Sequence, residues 1–179
     1  MLNPLRALRR RSRRTPVLPA GLRLSLEAGE RPLAWASDGE SLWYVGTHRA
    51  LHICTEGDCR RLPWETVERA EWDNDAEHLE VVELADFGAA KPIHRAALQD
   101  HGRLLQLVRE RITASVVISN FVPVQGKRGI TVVARRAPHS DGPLRWSVVV
   151  DRHLDETSPR VVAAAEHGLA RARAEVGDA

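Results

Sequence analysis

Lysine is nearly missing from this chain. Lys91 and Lys127 stand against 24 arginines in 179 residues. So one-sided a choice reads first as the codon bias of a GC-rich gene, and only second as selection for the forked phosphate contacts of guanidinium. Cysteine is scarce as well, at two residues, which excludes a disulfide-built scaffold. No apolar run approaches the ~20 residues that a membrane-spanning helix needs. The chain has a single tyrosine and two phenylalanines, so its aromatic surface rests mainly on five tryptophans. The eight histidines include no pair at metal-protease spacing. No nucleophile elbow, phosphate-binding loop or dinucleotide fingerprint occurs. With no local catalytic signature, neither enzymatic activity nor a cofactor is expected.

What is present fits a folded protein: 43% apolar residues for a core and 28% charged residues for a wet surface. The charge is unevenly placed. Residues 1–23 carry seven arginines and no acid. The remainder holds 19 basic side chains against 24 carboxylates, so the net charge of +2 hides a basic tail on an acidic body. Such a tail can seek an acidic partner or fold back on its own body. The stretch Thr15–Gly21 is too short and too proline-rich for the apolar region of a secretory signal, and a cytoplasmic location is expected.

Four tryptophans, Trp35, Trp43, Trp64 and Trp72, fall between residues 33 and 82, where short apolar-alternating segments follow one another. Leu22-Arg-Leu-Ser-Leu26 alternates at period two and reads as the first strand. Further strands are expected near 32–37, 42–47, 50–55, 59–65, 68–73, 78–84 and 91–98. Turn residues separate them at Ser37-Asp-Gly-Glu40, Glu56-Gly-Asp58 and Asp73-Asn-Asp75. A helix is expected from about 102 to 114, with Leu104, Leu105, Val108 and Ile112 on one face. Strand segments follow near 115–118, 121–124, 130–134 and 144–150, with turns at 125–129 and 139–143, and together they are counted as roughly three strands. A last helix starts at Ser158-Pro159, with an apolar seam of Val162, Ala165, Leu169, Ala172 and Val176. The fold class is therefore α+β, with roughly eight strands, a helix, three strands and a helix.

Two blocks carry a resemblance. Trp43-Tyr-Val-Gly-Thr47-His-Arg49-Ala-Leu51 is close to a "T-x-R-x-L" strand turn, and Arg61-Leu-Pro-Trp-Glu-Thr-Val67 to an "I-P-[aromatic]-x-x-I" strand pair. Both, with the strands-then-helix order, resemble the bacterial branch of the pleckstrin-homology-like fold. The whole chain also resembles a group of actinobacterial proteins of about 180 residues that carries no function over. The resemblance implies an antiparallel β-sandwich or barrel closed at one end by the helix. The resemblance covers about residues 22–118 and the last sixty residues depart from it. With the strand order, this divides the chain into a flexible basic tail (1–20), a PH-like domain (21–118) and a β-β-β-α lobe (119–179), a three-stranded antiparallel sheet with its C-terminal helix that is either a second lobe or an addition to the first sheet. Folds of this kind bind lipids, peptides or proteins, or serve only as scaffolds.

The basic tail is the leading functional candidate. Leu2, Leu5 and Leu8 fall on one side of a helix and Arg6, Arg9, Arg10, Arg11, Arg13 and Arg14 supply the charge. An amphipathic basic segment can lie on an anionic membrane surface or neutralise nucleic-acid phosphates. The lack of an aromatic residue to stack on bases favours the membrane, and the plain alternative is a solvated tail. Cys54 and Cys59 flank a hairpin turn and are expected to be unremarkable thiols, with a reversible disulfide the second reading and a metal site the third. Asp73–Glu77 lacks the glycine and distal glutamate of a calcium loop and is expected to be a turn. The tryptophans are expected in the core rather than in a ligand cup. Taken together, these features lead us to expect a non-enzymatic protein-binding or scaffold module with an unknown protein partner, tethered by its tail to the inner membrane face. Nucleic-acid binding through the tail, and an unrecognised small-molecule binder or enzyme, are the alternatives.

Overall fold

The computed structural model describes residues 18–19, 22–138 and 140–176. Among these residues the chain is an α+β protein with three antiparallel sheets and two helices. The first sheet is a meander of β1 (Pro32–Ser37), β2 (Trp43–Thr47), β3 (Ala50–Cys54) and β4 (Cys59–Pro63). A 3-10 turn at Trp64–Thr66 leads into a second meander of β5 (Val67–Asp73), β6 (His78–Glu83) and β7 (Ile93–Ala96). Helix α1 (Gly102–Ser115) packs against β1, β2 and β5. The third sheet has β9 (Arg128–Arg135) between β8 (Val116–Gln125) and β10 (Arg145–Val150), and α2 (Pro159–Val176) covers one face of it.

Turn chemistry sets these registers. Asp38 Oδ1 accepts the N–H groups of Glu40, Ser41 and Leu42 at 2.9, 3.1 and 3.0 Å. Gly39, at φ +89°, completes that turn in a conformation that L side chains resist. Asp73 Oδ1 caps the β5–β6 turn in the same way, through Asp75 and Ala76.

Trp64, Tyr44, Leu51, Leu79 and Leu104 centre the first core. Trp64 is fully buried, and its indole N–H donates to the Thr47 carbonyl at 3.1 Å. Burial of a side chain this large contributes on the order of 5 kcal/mol. A Cβ at Gly46 would stand 2.6 Å from Leu107 and 3.3 Å from Leu104, so the missing side chain is what lets α1 settle on β2. Ile130, Val132, Val148, Val161, Ala165 and Ala172 form a second core between the third sheet and α2. Phe87, from the β6–β7 loop, packs against that second core and links it to the first lobe.

Arg135 joins the lobes more tightly. Its guanidinium is buried and donates to the carbonyls of Glu68 (2.7 Å) and Ile112 (3.1 Å) and to Ser115 Oγ (3.0 Å). One side chain of β9 thus ties together β5, the end of α1 and its own sheet.

Several sequence expectations need correction. Leu22–Leu26 forms no strand, so seven strands rather than eight precede α1 among the described residues. Its leucines are half-buried and Arg23 and Ser25 exposed, so the alternation reported burial and not pairing. β8 is one strand through Pro123, because the proline lies at an edge where a missing N–H breaks no ladder bond. Leu107 is buried with Leu104 and Val108 while Leu105 and Ile112 are partly buried, since α1 serves two sheets and needs a wider apolar stripe. In α2 Val161 takes the core position expected of Val162, and Val176 is 42% exposed beyond the end of the sheet. Cys54 and Cys59 are bonded to each other rather than free. The reason is local: Thr55 N–H donates to the Asp58 carbonyl, which makes the neighbouring 54–59 pair a non-hydrogen-bonded one, where antiparallel strands approach most closely.

Candidate functional site

Three turns converge at one end of the first lobe and enclose a cleft of about 400 Å³. The β1–β2 turn contributes Asp38, the β5–β6 hairpin Trp72, Ala76 and Glu77, and the link from β7 to α1 the run Ala97–His101. Gln99 holds the link in place. Its N–H donates to the Ser37 carbonyl at 2.7 Å, and its side-chain amide donates to the Asp38 carbonyl at 3.2 Å. A side chain at Gly39 would collide with that amide, so the glycine is needed twice, for φ and for space.

Part of the cleft wall is aromatic. The rings of Trp72 and His101 stack at 3.8 Å with 19° between their planes. The Leu98 carbonyl, 3.0 Å from His101 Nδ1, accepts a hydrogen bond from that nitrogen's N–H and fixes the ring's orientation. Glu77 (φ 49°) and Asp100 (φ 48°) are the two non-glycine residues with positive φ among the described residues, and both line this cleft. Backbone in this region costs of order 1 kcal/mol or more per residue and persists where the surroundings enforce it.

The cleft is negative. Backbone donors, Glu40 first and then Leu42, hold the Asp38 carboxyl below its usual range and keep it ionised. No lysine or arginine lines the cleft, and among the described residues neither Glu77 nor Asp100 makes an ion pair. Carboxylates around a tryptophan suit a cation carried on an apolar stem, which gains both charge pairing and contact with the ring.

A second polar cluster is closed to ligands. Glu30 is buried beneath β2, β3 and β4, where Thr47 Oγ1 donates to its Oε1 at 2.5 Å and Glu27 N–H to its Oε2 at 3.1 Å. His52 Nε2 lies 3.6 Å from the same carboxylate and Arg61 Nε 3.8 Å from it. Burial pushes the Glu30 carboxyl up, but the Thr47 and Glu27 donors and the Arg61 and His52 charges outweigh it and leave the group lowered. Burial pushes His52 down and dominates the pull of Glu30, so the imidazole favours its neutral form. Thr47, Glu30 and His52 resemble a hydroxyl–base–acid set in composition only. All three are sealed from solvent, and the hydroxyl is bonded to the carboxylate rather than to the imidazole. The cluster fastens the segment before β1 onto the sheet.

Arg6, Arg9, Arg10, Arg11, Arg13 and Arg14 lie outside the described residues. Of the tryptophans expected in the core, Trp64 is fully buried, whereas Trp72 is half-buried and faces the cleft. The sequence signal for the cleft was two short polar runs, Asp73–Glu77 and Gln99–His101, each readable as a turn but not as neighbours. No helix among the described residues is long and apolar enough to cross a membrane. No protein-family model matches this chain, and neither a curated protein nor a solved structure matches it.

Proposed function

We propose that this chain is a non-enzymatic protein-binding module whose first lobe is PH-like. A four-stranded meander, a three-stranded meander and a closing helix in that order support the fold reading. The observation that carries the binding reading is the cleft, where Trp72 and His101 sit among carboxylates with no lysine or arginine lining it. Its partner is a protein segment that presents an arginine or lysine side chain. The β-β-β-α lobe at 119–179 is a buttress, and the arginine tail tethers the module to an anionic membrane surface.

Isothermal titration with a short peptide carrying two arginines, against the same peptide with glutamines, tests the cleft. Binding of the arginine peptide that is lost in Trp72→Ala and in Glu77→Gln supports the proposal. Equal binding of both peptides, or binding by neither, refutes it. Co-sedimentation with phosphatidylserine-containing vesicles tests the tail, by comparing the native chain with one in which the six arginines between Arg6 and Arg14 are glutamine. If the native chain fails to pellet but shifts duplex DNA, the tail belongs to nucleic acid instead.

A further inference from the structure

We infer that β8 is a dimerisation edge, pairing antiparallel with β8 of a second copy to fuse two three-stranded sheets into one of six strands. The observation begins with its chemistry. β8 is the longest strand and lies at a sheet edge, yet its ten residues, Val116–Gln125, include no charged side chain. Exposed edges are usually blunted by charge, proline or cover, because their unpaired backbone groups recruit other strands. The other edges follow that rule to different degrees. β4 carries Arg60, Arg61 and Pro63, β5 and β7 carry charges along their length, β10 has Arg145 at its start, and the uncharged β1 begins at Pro32 and is bridged by Gln99 at Ser37. β8 has Pro123 near one end but no charge, and displays Val117 (50% exposed) and Phe121 (56% exposed).

The backbone fixes which groups are free. Asp151 N–H donates to the Gly129 carbonyl, so odd-numbered residues of β9 turn their polar groups toward β10 and even-numbered ones toward β8. Through the register Ser119–Val133 and Val122–Ile130, Asn120 and Val122 then bond to β9, and Ser119 and Phe121 point N–H and C=O away from the sheet. Pro123, on the same outward parity, has no N–H to lose. The irregularities in the ladder fall outside this window, at Val116/Ile118 and Pro123/Gln125.

An antiparallel pair about a two-fold axis at Asn120 sets Ser119 opposite Phe121 of the partner copy, and Phe121 opposite Ser119. All four outward N–H groups and all four carbonyls of these residues are then satisfied. Asn120 faces its own copy at a non-hydrogen-bonded position, where side chains are closest. Charge favours a second copy as the occupant. A strand without charge meets no like charge in itself. The interface is isologous and closed, so it stops at two.

Sedimentation velocity on the full chain over a concentration series tests this. A monomer–dimer equilibrium is expected, weakened about tenfold or more in Phe121→Lys by like charge and lost apolar contact near the axis. Asn120→Cys supplies an independent readout. Under mild oxidation it forms a covalent dimer across the axis, whereas Ile93→Cys, on the edge of another sheet and 47% exposed, does not. A chain that stays monomeric up to its solubility limit overturns the inference, as does Ile93→Cys cross-linking as fast as Asn120→Cys.

Discussion

Replacing Arg135 with methionine gives the sharpest test of how the two lobes are joined. The native guanidinium makes three hydrogen bonds, to Glu68 O, Ile112 O and Ser115 Oγ, at 2.7 to 3.1 Å in a buried setting. Bonds from a charged donor are each worth roughly 1.5–3 kcal/mol net, which sets the gross loss of the three at about 5–9 kcal/mol. Methionine fills most of the volume, and removal of the cation returns part of its burial cost, since buried cations are expensive to dehydrate. That cost is visible in the guanidinium itself, whose pKa burial pushes down against the pull of Glu68. We therefore expect a net loss of about 3 kcal/mol, taken from the orphaned carbonyls of β5 and α1. Ser115→Ala removes one of the three bonds together with the hydroxyl's own bond to the Ile112 carbonyl and should cost about 2 kcal/mol. Because the two residues share that bond, the double variant should cost less than the sum. Urea unfolding read by tryptophan fluorescence and by far-ultraviolet circular dichroism measures all three. In Arg135→Met the two signals should also separate, as the lobes begin to unfold independently. A variant within about 0.5 kcal/mol of native, the range of an ordinary surface substitution, would refute the clamp.

Two further outcomes follow from the packing and from the buried cluster. Gly46→Ala places a methyl against Leu107 and Leu104 and should cost about 1–3 kcal/mol by overpacking, read as a lower urea midpoint; an unchanged midpoint would mean that α1 is not seated on β2 as described. Stability should also decline in two stages as pH falls. His48 and His52 have folded pKa values below their ordinary 6.5, chiefly through burial, so the unfolded chain takes up protons first and stability is lost as pH drops below 6.5. Glu30 is held below 4.5, so its contribution is complete above that pH and disappears as acid titrates the folded carboxyl. Chemical denaturation at stepped pH measures both stages; in Glu30→Gln the lower stage should shrink, and an unaltered profile in that variant would count against the buried network.

The meanders were legible because local chemistry specifies them. Asp38 and Asp73 each sit at the start of a turn and spend a carboxylate oxygen on backbone donors within four residues, and α1 is announced by its apolar spacing. What remained hidden depends on contacts across long separations. Arg135 reads as one more charged residue after an apolar strand, and only the fold reveals that Glu68, 67 positions earlier, supplies an acceptor. Gln99 and Asp38 are 61 positions apart, and the cleft exists because their turns meet. The cysteine pair was visible, but its bonding depended on whether the 54–59 pair fell at a wide or narrow site of the ladder, which one residue of turn length decides.

The surplus of acid in the body is resolved by position. The stretch from Glu65 to Asp86 holds nine carboxylates, yet much of it is already neutralised. Glu68 pairs with Lys91, Glu71 with Arg69, Glu80 with Arg69 and Arg95, and Glu83 with Arg60 and His94. Exposed pairs such as Glu71–Arg69 add little stability, about 0–1 kcal/mol each. Their larger effect is on recognition, because they erase the field that would draw a cation to the sheet. The carboxylates of Asp38, Glu77 and Asp100 have no such partners among the described residues and are gathered around Trp72. A basic segment, whether from another protein or from the arginine tail, therefore meets its strongest attraction at the cleft rather than on the sheet. If so, raising the ionic strength should weaken peptide binding at the cleft in native protein, and Glu80→Gln, on the neutralised face, should leave that binding unchanged. An equal loss in Glu80→Gln and Glu77→Gln would show that the attraction is diffuse and that the cleft has no special claim.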